Sequence, residues 1–210
     1  CGVKCNVVDV VQDFLRKDVE FIGSHPMAGK EVSGVQYSDD AIFHSANFII
    51  TPTEQNTEKG IAFAKELAEL LEFHHIAVIT PQEHDKMIGF VSQLTHAVAV
   101  SLMNTSDNTH LKEYTGDSFR DLTRIAKINE TLWSELFFLN KKNLVQEIDD
   151  FVAELENLKQ KIADEDEEGI KKLVSAFDGD LDGLLDKLNT MIASSKKYTN
   201  FSGISDGMDG

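Results

Sequence analysis

At Thr80-Pro81 the hydrophobic period of this chain changes, and different kinds of structure are dictated on either side. Before that point, short apolar runs alternate with helical patterns. Val19, Phe21 and Ile22 form a run that breaks at Gly23 and delivers Ser24, His25 and Pro26 into a loop. Pro26 restricts the backbone of His25 as well as its own. Ala41 to Thr51 is rich in β-branched and aromatic residues and stops at Pro52, which predicts a strand with His44 on its approach; Ile76 to Ile79 predicts a short buried strand. Val7, Val8, Val11, Phe14 and Leu15 are spaced for a helix. A second helix, capped near Thr53 and running to about Phe73, has Ile61, Ala64, Leu67, Ala68 and Leu71 on its apolar face. His74 and His75 are expected to close it, where they complement the negative end of its dipole.

From Gln82 onward the spacing is helical throughout. Met87, Ile88, Val91, Leu94, Thr95, Val98 and Leu102 share one face of a helix about 20 residues long, nearly apolar in its second half. A helix so apolar must be buried, which points to a dimer core. Phe119 to Ile125 predicts a short helix after Gly116. Thr131 to Gln160 predicts a long helix or a bent pair, with Trp133, Leu136, Phe137, Leu144, Ile148, Phe151, Leu155 and Leu158 spaced for packing. Asp164 to Glu168 is a solvated break; helices are expected at Gly169 to Phe177 and Leu181 to Ala193, before a disordered tail from Lys196. The expected domains are therefore 1–80, α/β; 81–195, all-helical; and 196–210, a flexible tail.

The net charge of −16 argues against nucleic acid as a partner, since a polyanion would be repelled. An anionic substrate must then be drawn in by a few cations in a cleft. The sequence predicts neither a membrane span nor a signal peptide, and a cytoplasmic location is expected. Cys1 and Cys5 are read as reduced and structural. No metal site is expected. Asp178 to Gly183 matches the first half of a calcium loop, but the twelfth position is Asn189 where that loop needs a bidentate glutamate, so it reads as an exposed acidic turn.

Several segments together carry a family likeness. GSHPMAGKE (Gly23 to Glu31), HDKMIGFVSQLTHAVAVSL (His84 to Leu102), GDSFRDLTRIA (Gly116 to Ala126) and Trp133 follow in the order and at roughly the spacing of the prephenate and arogenate dehydrogenases, which the chain resembles closely from Val19 to Phe138. The resemblance implies the closing portion of a Rossmann-like dinucleotide-binding domain, then an all-α dimerisation domain like the C-terminal domain of 6-phosphogluconate dehydrogenase. It implies NAD, or NADP, as cofactor and prephenate as substrate, with tyrosine as a feedback inhibitor and a homodimer through the helical domain. No G-x-G-x-x-G opens a helix in this sequence and no methionine precedes Cys1, so the first strands of the nucleotide fold are expected to be missing and the chain alone to be inactive.

By the same resemblance His25 is the catalytic base, Arg124 holds a substrate carboxylate, Glu31 gates the pocket and His96 lies on the substrate side. The residues themselves support this. A neutral histidine can take the proton of a hydroxyl that is losing hydride, and a planar guanidinium binds a carboxylate with two parallel bonds. Asp121 stands three residues before Arg124 and can orient it, with Arg120 a weaker candidate. Ser92 and Gln93 lie one turn before His96, and Trp133 is read as support for the Arg124 helix. His84-Asp85 are read as first-turn caps with an interdomain hydrogen bond. The loop holding Gly2 resembles the one that faces the nicotinamide, where the family commonly has a small hydroxyl residue. A competing reading is a non-catalytic helical module that binds an aromatic amino acid, which would have no use for His25 as a base; an arogenate or dual-specificity cyclohexadienyl dehydrogenase is the nearest enzyme alternative.

Overall fold

The structure is a computed structural model that describes residues 2–29, 34–44, 46–105, 107 and 110–176. Glu31, the acidic turn at Asp178 to Gly183, the helix expected at Leu181 to Ala193 and the tail lie outside the described residues. The chain forms two compact units, 1–150 and 151–210.

In the first unit, helix α1 (Cys5–Phe14) leads into a three-stranded sheet ordered β1-β2-β3, made of β1 (Gly23–Pro26), β2 (Asn47–Thr51) and β3 (His75–Val78). β1 runs antiparallel to β2 with Gly23 opposite Thr51 and His25 opposite Ile49, whereas β3 is parallel to β2. Gly23 therefore opens a strand instead of ending one, and His25 sits within the ladder. The reason lies in close approach: a Cβ on Gly23 would fall 2.4 Å from Thr51 Oγ1 and 3.0 Å from Val8 Cγ2. Only a residue without a side chain lets β1 lie against both β2 and α1.

The core joins Phe48 and Ile50 of β2 to Ala64 and Ala68 of α2 (Glu58–Leu70), with the Phe73 ring tilted against that of Phe48, their centres 4.8 Å apart. Four expectations are corrected here. The strand starts at Asn47, because Asp39 accepts a bond from the Ala41 amide at 3.1 Å and winds Asp40–Ile42 into a 3₁₀ turn. α2 is capped by Thr57, not Thr53; the Glu20 carboxylate accepts from its amide at 2.8 Å and its hydroxyl at 2.7 Å. That helix ends at Leu70, Glu72 turns left-handed at φ 60°, and His75 is already in β3, so the histidine pair does not cap it. β3 is half-exposed where burial was expected, being an edge strand of the described sheet.

Helix α3 (Pro81–Ile88) begins with a complete capping box, the Thr80 hydroxyl accepting from the Glu83 amide while the Glu83 carboxylate accepts from the Thr80 amide. The helical path continues through a π-helical segment, Gly89–Leu94, into α4 (Thr95–Asn104). By length and composition Pro81–Asn104 could cross a bilayer. It carries buried His84, Asp85 and Gln93, which are bonded within the protein. Within the single chain α4 buries little besides Ala99, and Val91 and Met103 remain more than a third exposed. Short α5 (Leu111–Tyr114) and α6 (Asp117–Thr123) precede a 3₁₀ turn, Arg124–Ala126. The expected bent pair is α7 (Glu130–Leu139) and α8 (Lys141–Ala163), which break at Asn140. Residues 151–210 contain the end of α8 and α9 (Glu167–Ser175), which Asp166 caps by accepting from the Gly169 amide at 2.9 Å.

Candidate active site

His25 is held by β1 on one side and by α3 on the other. Its Nδ1 lies 2.8 Å from Nε2 of His84, whose Nδ1 is 2.7 Å from the Asp85 carboxylate. Asp85 in turn accepts the backbone amides of Lys4, at 2.7 Å, and Cys5, at 2.9 Å. The three side chains thus form one line of hydrogen bonds from the loop before α1 to the strand bearing His25. His84 and Asp85 are fully buried and do not cap their own helix, which has Thr80 for that purpose; Asp85 caps α1 instead. Both make the long-range bonds just described, all within residues 1–150, but the capping role moves to a different helix.

Burial first, and the Lys4 ammonium second, push the His25 imidazole down to about 3, so it is neutral at physiological pH. Burial likewise lowers His84, against the pull of Asp85. Desolvation alone would raise the Asp85 carboxyl; bonds from His84 and from the Cys5 and Lys4 amides outweigh it and hold the group ionised. Lys4, 2% exposed, is pushed down by burial and partly restored by Asp85.

A second buried polar network braces this one. Asn140 Nδ2 donates to the Asp85 carbonyl at 2.8 Å and to Gln93 Oε1 at 2.7 Å, and Gln93 Nε2 donates to the Leu136 carbonyl at 3.0 Å. The break between α7 and α8 is thereby fixed against α3 and the π segment.

His96 stands one turn beyond that segment. Its Nδ1–H donates to the Ser92 carbonyl at 2.8 Å, and its ring stacks on Trp133 at 3.8 Å, 30° from parallel, with Phe137 edge-on to the indole. Trp133 therefore supports His96, where support of the Arg124 helix was expected. Arg124 opens the 3₁₀ turn after α6, is exposed, and belongs to an element packed against α4. Asp121 is exposed near the end of α6. Arg120 is engaged locally, with Asp117 and the Thr115 carbonyl. Gly2 is half-buried, and a Cβ there would come 3.1 Å from Leu136 Cδ2. Structure brings together His25, His84, Asp85 and Lys4; sequence reasoning missed the buried ammonium and the central place of His84. A polar pair at positions four and five of an otherwise capped helix was the available signal for His84 and Asp85.

The α1 amides of Lys4 and Cys5 are spent on Asp85, which leaves them unavailable to a pyrophosphate. The Gly2–Lys4 loop is tied through Asp85 and His84 to His25.

The family model described as prephenate dehydrogenase, nucleotide-binding domain, matches residues 1–87, and the one described as prephenate dehydrogenase, dimerization domain, matches 80–177. Prephenate dehydrogenase of Bacillus subtilis is 29% identical over 188 residues, which is 87% of this chain and 50% of that protein. Cyclohexadienyl dehydrogenase of Zymomonas mobilis is 29% identical over 171 residues, 79% of this chain and 58% of that protein. A crystal structure of prephenate dehydrogenase from A. aeolicus, in complex with hydroxyphenyl propionate and NAD+, is 35% identical with a TM-score of 0.74, covering 83% of this chain and 62% of its own. This chain thus spans about half the length of these curated relatives. With one family's two domain models running from residue 1 to residue 177, on a fold that superposes on a solved member, the chain belongs to the prephenate dehydrogenase family.

Proposed function

We propose that this chain is the catalytic part of a cytoplasmic prephenate dehydrogenase, which converts prephenate to 4-hydroxyphenylpyruvate by NAD-dependent oxidative decarboxylation. The observation that carries the reading is His25: a neutral imidazole held by a buried partner on one ring nitrogen, with the other left for substrate. Prephenate bears a ring hydroxyl opposite a carbon carrying a carboxylate. Loss of hydride from the hydroxyl-bearing carbon requires that the hydroxyl proton leave too, and His25 accepts it, a contribution typically of about 10²–10⁴-fold. The oxidised nicotinamide supplies the hydride acceptor when bound. Departure of carbon dioxide then restores aromaticity, which drives the reaction without a further group.

Substrate is a dianion, and its charge raises the His25 pKa toward the working range as it enters. Arg124 is proposed to bind one carboxylate, with Asp121 orienting it and Glu31 gating the pocket. His96, fixed by Trp133 and the Ser92 carbonyl, presents Nε2 to the substrate side, with Ser92 on the same wall. Gly2 is proposed to lie beside the nicotinamide. Tyrosine, similar in shape to the product, is proposed to compete for the same pocket, and two chains to pair through their helical domains. The relative named cyclohexadienyl dehydrogenase favours a second reading in which arogenate is also accepted.

In the protein that carries this chain, prephenate and NAD⁺ should give a rise at 340 nm that falls by about 10²–10⁴-fold in His25→Asn, with prephenate still bound. An undiminished rate in that variant would remove His25 from the chemistry. Activity with arogenate alone would replace the substrate and keep the base.

A further inference from the structure

We infer that His84 and Asp85 are positioning residues that dictate which nitrogen of His25 acts as the base, an inference that rests on His25 being the base. Asp85 accepts two backbone amides and is ionised, so it has no proton to give. The nitrogen 2.7 Å from it, His84 Nδ1, must carry the hydrogen. His84 is fully buried and neutral, which leaves its Nε2 with a bare lone pair. That lone pair lies 2.8 Å from His25 Nδ1, a distance that requires one hydrogen between the two rings. It can come only from His25. The Nδ1–H of His25 is therefore fixed, and Nε2 is the acceptor that faces substrate.

When substrate reacts, the hydroxyl O–H bond breaks and its proton goes to His25 Nε2, while the hydride leaves from the same carbon to the nicotinamide. The imidazolium so formed keeps its Nδ1–H on His84, and the negative charge of Asp85 stands one ring further along to stabilise it. Because Asp85 is also tied to the amides of Lys4 and Cys5, the same contact holds the base in register with the Gly2–Lys4 loop.

In Asp85→Asn the amide oxygen keeps the bonds from the Lys4 amide and His84 Nδ1–H by turning its nitrogen toward the Cys5 amide, so the tautomer is retained while the negative charge behind the pair is lost. The experiment is ¹⁵N spectroscopy of the His25 ring in the neutral form, beside steady-state kinetics with prephenate and NAD⁺ on the protein that carries this chain. The expected result is Nδ1–H in the parent and in Asp85→Asn, with a lowered kcat and little change in KM in that variant. His84→Gln, whose amide oxygen can take the Nδ1–H bond, should retain the parent tautomer and much of kcat; His84→Leu should lose both. The His84 pair carries the test alone if Asp85→Asn fails to fold. Nε2–H in the parent, or an unchanged kcat in folded Asp85→Asn together with an unchanged tautomer and kcat in His84→Leu, would overturn the proposal. If those variants were normal while His25→Asn was inactive, the base would stand and only its positioning would fall. An active His25→Asn beside the expected spectra would sink the proposed function and leave the tautomer assignment intact.

Discussion

Two histidines held as neutral rings, one buried and one half-buried, make stability depend on acid in a way that can be signed. His25 has a native pKa of about 3 against 6.5 when unfolded, and His84 is lowered as well. Below 6.5 the unfolded chain takes up protons that the native rings refuse, so stability falls with falling pH. The contribution is complete above 6.5 and, for His25, is gone near 3. Each ring adds a slope of at most about 1.4 kcal/mol per pH unit, and solvent screening discounts the share of half-buried His25. Urea unfolding followed between pH 7 and 4.5 should show this slope, and His25→Asn should reduce it. The Lys4 ammonium is a further cause of the His25 depression, so Lys4→Met should raise the His25 titration seen by NMR. No movement would mean that Lys4 plays no part and that burial and the other neighbouring groups set it. At this scale the sequence marked His25, because a histidine before a proline in a family-like run, Gly23-Ser24-His25-Pro26, stands out. It could not mark His84 as its partner: 59 residues separate the two, and only the packing of α3 beside the sheet makes them neighbours. Lys4 was invisible for the same reason, since a lysine is ordinarily exposed.

At the junction of β1, β2 and α1, Gly23 admits no Cβ beside Thr51 and Val8, and the buried Thr51 hydroxyl has no hydrogen-bond partner among the described residues. Gly23→Ala should therefore cost about 1–3 kcal/mol by overpacking. Thr51→Val should gain on the order of 1 kcal/mol, because it replaces an unsatisfied hydroxyl by a methyl of similar shape. Thermal melts of the two variants check both signs, and a Gly23→Ala protein as stable as the parent would mean that β1 can shift. Such a shift would also move His25, two residues on, so the cost should appear in turnover as well. Local signals foretold some elements well: Thr80, Pro81 and Glu83 spell a helix start, and the acidic break before α9 proved to contain its cap. Ala41 to Phe43 misled because β propensity describes a half-buried pleated surface, and here an aspartate turn supplied a local alternative. The π segment had no sequence signature at all. It depends on Gln93 and Asn140 finding each other across 47 residues.

For the whole molecule, the unanswered demand is apolar surface. Leu144, Ile148, Phe151, Leu155, Leu158 and Ile162 recur along α8 at alternating spacings of four and three, the seam of a helix that packs along a partner. Leu155 is 53% and Ile162 59% exposed. A seam of this kind is covered by a second copy in a protein whose helical domain pairs with itself, the pairing proposed above. Each chain carries a net charge of −16, so association works against mutual repulsion that salt screens. Dimerisation should accordingly tighten as salt rises from 0.05 to 0.5 M, on the order of the change in Debye length from above 10 Å to below 5 Å. Leu155→Glu places a charge in the middle of the seam and should yield a monomer by light scattering at micromolar concentration, while the parent stays dimeric. His25 and its partners all lie within residues 1–150, so the monomeric variant should keep the His25 ring tautomer of the parent. A parent that is monomeric at every salt concentration would assign the cover to the chain's own remaining residues instead.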